Sequence, residues 1–361
     1  MIASYRHPKY WLDPRQDTAF RRYLGLYPYV AIVGFVGVAI SPAAAQTCAI
    51  ANNQSSQPST VSLNAGSCTI PSGQVLQAPG FFPPPGPQSI VATGGGVISG
   101  SNLTVFTTPS GGTAKPVVQA SGPGSAIYLD VNSAGTITGS GSTFTTSSGG
   151  GSVFLEADTS GLIEASNINL NFPSGGQDTG ALAQTNGSIV LLGGSMTLGS
   201  GSGQVLGLSA TSGGSITANG TTINVGQSGN PVGGIDIGAQ ANGGSITLTN
   251  STVNMFDQGS QNFGLQAIGA SSTITTTNTN VVVEDPNNPP QVDLDTGVRA
   301  AGGALVNMTG GSVSVSGRGN GELGCRPRGA AVLSTHLESR SACRLALPAR
   351  ASKPIPLARS I

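Results

Sequence analysis

The chain has 361 residues, 15 basic and 15 acidic side chains, 55 glycines, and only 8% charged and 5% aromatic residues. Its formal zero charge is a cancellation: residues 1–45 sum to +3, residues 46–317 to −9 and residues 318–361 to +6. The acidic middle segment holds Lys115 and Arg299 as its only cations, which excludes nucleic acid as a partner, because phosphate contact needs clustered Lys and Arg.

Residues 1–45 read as an export signal. A polar and basic stretch through Arg21 and Arg22 precedes the apolar run YVAIVGFVGVAI from Tyr29 to Ile40, and Ser41-Pro42-Ala43-Ala44-Ala45 supplies small residues for cleavage before Gln46. Twelve apolar residues are short for a bilayer span, which needs ~20. An uncleaved anchor is the other reading, since extension back to Leu24 lengthens the run while including Pro28.

Residues 46–125 read as an N-terminal cap with irregular first coils. Cys48 and Cys68 are the only cysteines between the signal and the tail, and an oxidising compartment would let them pair. The Pro-rich stretch Phe81-Phe82-Pro83-Pro84-Pro85 interrupts the pattern, while Ile98 and Val105 mark an early coil.

From 126 to 317 a phrase returns every 26 to 31 residues: GTITGSGSTF from Gly135, GLIEASNINL from Gly161, GSIVLLGGSM from Gly187, GSITANGTTI from Gly214, GSITLTNSTV from Gly244 and STITTTNTNV from Ser272. Its first aliphatics are Ile137, Ile163, Ile189, Ile216, Ile246 and Ile274. The partners seven positions on are Phe144, Leu170, Met196, Ile223, Val253 and Val281. A third apolar piece precedes each new phrase: AIYLDV from Ala126, SVFLEA from Ser152, VLGLSA from Val205, GIDIGA from Gly234, GLQAIG from Gly264. Short strands rich in Thr, Ser, Val and Ile between Gly, Asn and Ser turns, repeated at fixed period, predict a solenoid. The fold expected is all-β: a right-handed parallel β-helix with three short strands per coil, whose six isoleucines stack in one core ladder. Leu305 or Val306 would continue that ladder. At ~4.8 Å per coil, six or seven coils span on the order of 30 Å.

Residues 318–361 change character. Seven arginines appear where residues 46–317 hold one, and Phe, Tyr and Trp are absent. The segment reads as a basic non-repeat tail of the kind an out-of-frame ending produces, with a tail that binds an anionic surface as the alternative.

Catalytic chemistry finds few footholds. His7 and His336 lie outside the repeats, so a serine nucleophile there would lack its base. The Gly-rich runs lack a phosphate-loop ending, and Cys325 and Cys343 are poorly spaced for a metal. The available acids are Glu156, Asp158, Glu164, Asp236, Glu284, Asp285, Asp293 and Asp295. Asp236, Gln266 and Arg299 are expected at equivalent third-strand positions, as an outward polar ladder. No catalytic residue, metal ligand or cofactor is assigned.

A signal ending in AAAQ, the cysteines in QTCAI and GSCTI, and coils phrased GGSITANGTTINV and GGSITLTNSTVNM resemble the passenger region of bacterial autotransporters, the pertactin-like β-helix group. The resemblance covers roughly residues 30–317. It implies export in a Gram-negative bacterium to the periplasm, cell surface or medium, contact with export machinery through the signal, and a non-catalytic adhesion or display role toward a host-cell, matrix or glycan surface. Members of that group end in a membrane β-barrel, which needs many strands of about ten residues with aromatic girdles; the text after Gly317 does not supply them, and a truncated product is the expectation. The rival reading is a β-helical polysaccharide lyase or glycoside hydrolase.

Overall fold

A computed structural model describes residues 46–50, 60–78, 90–101, 103–107, 117–130, 136–139, 153–172, 178–199, 204–226, 235–256, 261–284, 295–316, 323–328 and 332–336. The proposed signal, Phe144, Asp285, Asp293 and most of the tail lie outside these residues.

The chain winds through three parallel sheets in turn, of eleven, nine and ten strands, forming a parallel β-solenoid. Sheet I contains the GSIT pieces, such as Leu162–Ser166 and Ser188–Leu192. Sheet II contains the pieces seven residues on, such as Asn169–Phe172 and Ser195–Leu198. Sheet III contains the third pieces, such as Val153–Asp158 and Leu206–Thr211. Alternate residues in the sheet I and II strands face inward, as a period of two requires. Each strand bonds to its equivalent one coil away, so inward side chains lie directly over one another.

The Ile ladder runs down sheet I in register: Ile163, Ile189, Ile216, Ile246, Ile274 and then Val306. Ile137 is a correction. It pairs with Val105 on one side and Leu170 on the other, in sheet II. The sheet I position of that coil belongs to Ile127, partnered by Ile98 and Ile163, so AIYLDV is a sheet I strand rather than a third piece. The interval from Ile127 to Ile137 is ten residues instead of seven, so spacing alone places Ile137 in the wrong sheet. Burying one such side chain contributes roughly 1.5–3 kcal/mol, and only the stacked array can bury them all.

The same register reaches beyond the predicted repeats. Residues before 126 enter the three sheets as regular coils, with Cys68 over Ile98 and Val61 over Ile90. The Cys48 and Cys68 sulfurs are bonded, and the Cys48 N–H donates to the Thr69 carbonyl at 3.0 Å, fixing the first turn at the end of the Ile ladder. At the other end, Leu323–Arg328 and Val332–His336 pair with the preceding coil, placing Cys325 beside Val298 and Leu333 beside Val306. The strands therefore continue past the expected boundary at Gly317, and His336 stands in sheet I opposite Thr309.

Two columns of small residues let the coil close. Ala92, Ala120, Ala157, Ala183, Ala210, Ala241, Ala267 and Ala300 succeed one another in sheet III, all fully buried. Earlier in the same strands, Gly180, Gly207, Gly238 and Gly264 each come so close to the next coil that a β-carbon would sit 2.3–2.7 Å from its carbonyl oxygen. Side chains of sheet II fill the space where those β-carbons would be, Met196 against Gly180 and Ile223 against Gly207.

Candidate functional site

Among the described residues, most of the outer face is neutral and short-chained. On sheet I, Ser188, Ser215, Ser245 and Thr273 stack in register, and the Ser215 hydroxyl donates to Ser188 Oγ at 3.1 Å. On sheet II, Asn254 Nδ2 donates to Asn224 Oδ1 at 2.8 Å and Asn224 Nδ2 to Thr197 Oγ1 at 3.3 Å. Such ladders spend their hydrogen bonds along the array and leave a flat, repetitive face.

Two places depart from that pattern. The first is a groove of about 390 Å³ on the outer face of sheet I. Its walls include Thr69, Ser99 and Ser101, Tyr128, and Glu164 with Ser166, taken from successive coils. Ser99, Tyr128 and Glu164 are register partners in one outward column, so a hydroxyl, a phenol ring and a carboxylate follow one another at the ~4.8 Å strand spacing. Tyr128 is 39% exposed. It is the only Tyr or Trp beyond Tyr29 in the whole chain. Thr69 Oγ1 and Ser99 Oγ lie 3.0 Å apart and close one end of the groove.

The second place is Glu156 on sheet III. It is only 8% exposed. Gln184 Nε2 donates to its Oε1 at 2.9 Å, and Gln119 Nε2 reaches the same oxygen at 3.4 Å. Burial pushes the Glu156 carboxyl above the ordinary glutamate value; the two amides oppose this and the nearby Asp158 charge adds to it. Burial dominates because an ionised carboxylate loses hydration that two neutral donors only partly replace.

The other acids proposed from the sequence take structural posts. Asp236 is fully buried and its Oδ1 accepts the Val205 N–H at 2.9 Å. Asp295 is 1% exposed and its Oδ1 accepts the Asn262 N–H at 3.0 Å. Each tethers the entry of a sheet III strand to the coil before it. Asp236 is therefore not the equivalent of Gln266 and Arg299: the row is Gln240, Gln266, Arg299, with Gln240 Nε2 donating to Gln266 Oε1 at 2.7 Å. The offset arises because the sheet III strand begins at Ile237 and Asp236 precedes it. The Arg299 guanidinium lies over the Phe263 ring, 5.0 Å from its centre. Glu284 ends a sheet II strand and is exposed.

The groove brings Glu164 together with Tyr128 and the hydroxyls but gathers none of Asp236, Asp295 or Arg299. Read as a third piece, AIYLDV hides the place of Tyr128 on the outer column of sheet I. Ile127 falls 29 residues after Ile98, and that interval was the available signal. Among the described residues no cluster of three or more His, Cys, Asp or Glu is placed to hold a metal ion, and no helix is long and apolar enough to cross a membrane. Neither a protein-family model nor a curated protein nor a solved structure matches the chain.

Proposed function

We propose that this protein is an exported, non-catalytic adhesion or surface-display module of the autotransporter-passenger kind, in which a rigid solenoid presents its outer faces to a cell, matrix or glycan surface. The observation that carries this reading is the fate of the acids. Asp236 and Asp295, two of the acids available in the sequence, are consumed in holding backbone N–H groups inside the coil. What faces outward is row upon row of Ser, Thr and Asn. A flat periodic face of short polar groups fits contact spread over many weak sites, whereas acid–base catalysis needs converging groups with displaced pKa values. The test is to express the full chain in a Gram-negative host, follow it by fractionation and surface labelling, and measure adhesion to epithelial cells and matrix proteins. Retention in the cytoplasm, or export without any adhesion, would count against the proposal.

A second reading, a β-helical glycoside hydrolase, draws on Glu156. A buried carboxyl whose pKa is raised by burial, beside a second acid two residues along the same strand, has the makings of an acid–base pair, and acids at i and i+2 stand ~6–7 Å apart. Polysaccharide turnover that vanishes in both Glu156→Gln and Asp158→Asn would favour it over the adhesion reading.

A further inference from the structure

We propose that the sheet I groove around Tyr128 is a glycan subsite that takes a pyranose ring without an anionic substituent. The inference rests on the adhesion reading and names the chemistry that one patch of the surface would recognise.

The case starts from what is unusual about the position. Elsewhere the outer column of sheet I is built from the short side chains Val190, Thr217, Thr247, Thr275 and Asn307. At Tyr128 the column presents a large ring that sheet I does not cover, 39% exposed. An exposed phenol on a strand leaves apolar area in water at a cost of roughly 25 cal/mol per Å². That cost is recovered when an apolar face covers the ring. The C–H face of a pyranose is such a surface, and it is bounded by hydroxyls that still need hydrogen-bond partners.

The groove supplies those partners around the ring. The Glu164 carboxylate, one strand away in register, accepts from two adjacent sugar hydroxyls, and hydrogen bonds to a charged group are the stronger kind. Ser99, Ser101 and Ser166, also in the walls, can donate or accept as the sugar requires. The cavity of about 390 Å³ lies inside the ~300–1,000 Å³ span typical of small-ligand sites. Its open form suits a ring within a chain, with neighbouring sugars continuing along the column of hydroxyls.

Charge decides between sugar classes. Among the described side chains, Glu164 is the only charged one in the groove wall, and residues 46–317 carry eleven acids against two bases. A uronate or sialate would meet a carboxylate with no cation to offset it, so neutral rings are accepted and acidic ones rejected.

The experiment is isothermal titration of the full chain with three neutral hexasaccharides, a β-1,4-glucan, a β-1,4-galactan and chitohexaose, alongside hexagalacturonate. At least one neutral ligand is expected to bind, and hexagalacturonate to bind at least about tenfold more weakly. Tyr128→Ala should lower the affinity by about tenfold or more, one lost stacking platform being worth about that factor. Tyr128→Trp should stay within about threefold of the parent, and Glu164→Gln should lose about three- to tenfold. Circular dichroism melting of each variant separates a lost site from a lost fold, and both positions face outward. The proposal is overturned if none of the neutral ligands binds the folded parent chain, if Tyr128→Ala binds as the parent does, or if hexagalacturonate binds as tightly as the neutral ligands. Cell adhesion that persists in Tyr128→Ala alongside absent glycan binding would overturn this site and leave the adhesion reading standing.

Discussion

Gly207 and Gly238 occupy the same place in consecutive coils, and a β-carbon on Gly207 would lie 2.3 Å from the carbonyl oxygen of Gly238 and 2.6 Å from Ile223 Cγ2. Real β-carbons do not come that close to a backbone atom, and here the neighbour is main chain, which cannot swing aside. Gly207→Ala should therefore destabilise the solenoid by about 1–3 kcal/mol, the usual range for overpacking, as seen in urea or thermal unfolding followed at 218 nm, where a β-sheet signal is strong.

A different glycine should tolerate a side chain. Gly220 has φ +68°, and the nearest atom to its would-be β-carbon is Gly193 Cα at 3.9 Å. Its equivalents Asn167, Asn250 and Asn278 hold φ of 52°, 47° and 49°, and Asn enters this left-handed region more readily than most residues. Gly220→Asn is expected to stay within about 0.5 kcal/mol of the parent, while Gly220→Val should be clearly destabilising. Equal midpoints for Asn and Val would refute the conformational account.

Thr276 is an odd member of the core. It stands between Leu248 and Met308 in an inward column of sheet I, it is fully buried, and its hydroxyl finds no hydrogen-bond partner among the described residues. Replacing a buried unsatisfied hydroxyl by a methyl of the same shape removes a desolvation penalty of about 1–3 kcal/mol. Thr276→Val should raise the unfolding midpoint; a lower midpoint would mean that the hydroxyl is satisfied in solution.

Glu156 makes stability depend on pH. Its folded-state pKa is raised by burial, so the folded chain holds this proton more tightly than the unfolded chain does. The resulting stabilisation is complete below the ordinary glutamate pKa and is lost as pH climbs through the raised value. Glu156→Gln keeps an acceptor for Gln184 and removes the charge. Its advantage over the parent should be greatest at neutral pH and disappear in acid, and a pair of parallel stability–pH curves would argue against this assignment.

The Cys48–Cys68 bond closes the first turn, at a sequence separation of 20. In the chain-entropy model a loop of that size contributes about 3 kcal/mol. A stack of coils feels such a loss locally, because each coil contacts only its neighbours. With both cysteines changed to Ser, hydrogen exchange should quicken at Cys48 and along Ser67–Ile70, while amides near Ile216 exchange as before. Uniform acceleration along the whole chain would instead indicate one cooperative unit.

Much of this was readable from residues alone. Ile163, Ile189, Ile216, Ile246 and Ile274 announce their ladder because stacking forces the same inward position to recur, and the third pieces SVFLEA, VLGLSA and GLQAIG supply strands of sheet III. Ile137 departs for a physical reason: spacing marks register only while the interval between strands is constant, and Ile127 to Ile137 spans ten residues where the coils from Ile163 onward keep seven. Tyr128 was displaced by the same error. The coils expected as irregular before residue 126 share the register of the rest, Cys68 standing where later coils carry isoleucine, and the strands after 317 pair Cys325 with Val298 and Leu333 with Val306, positions that a repeat marked by isoleucine does not reveal.

The amino-acid sequence by itself determined that this chain is an all-β parallel solenoid, since short β-branched strands at constant period can bury their apolar sides only by stacking. Tertiary structure alone decided which acids serve the backbone and which face outward. Asp236 and Glu164 are both single carboxylates near a strand, and whether one meets a backbone N–H or the ring of Tyr128 depends on the residue one coil away, roughly thirty positions along the chain, where no local pattern reaches.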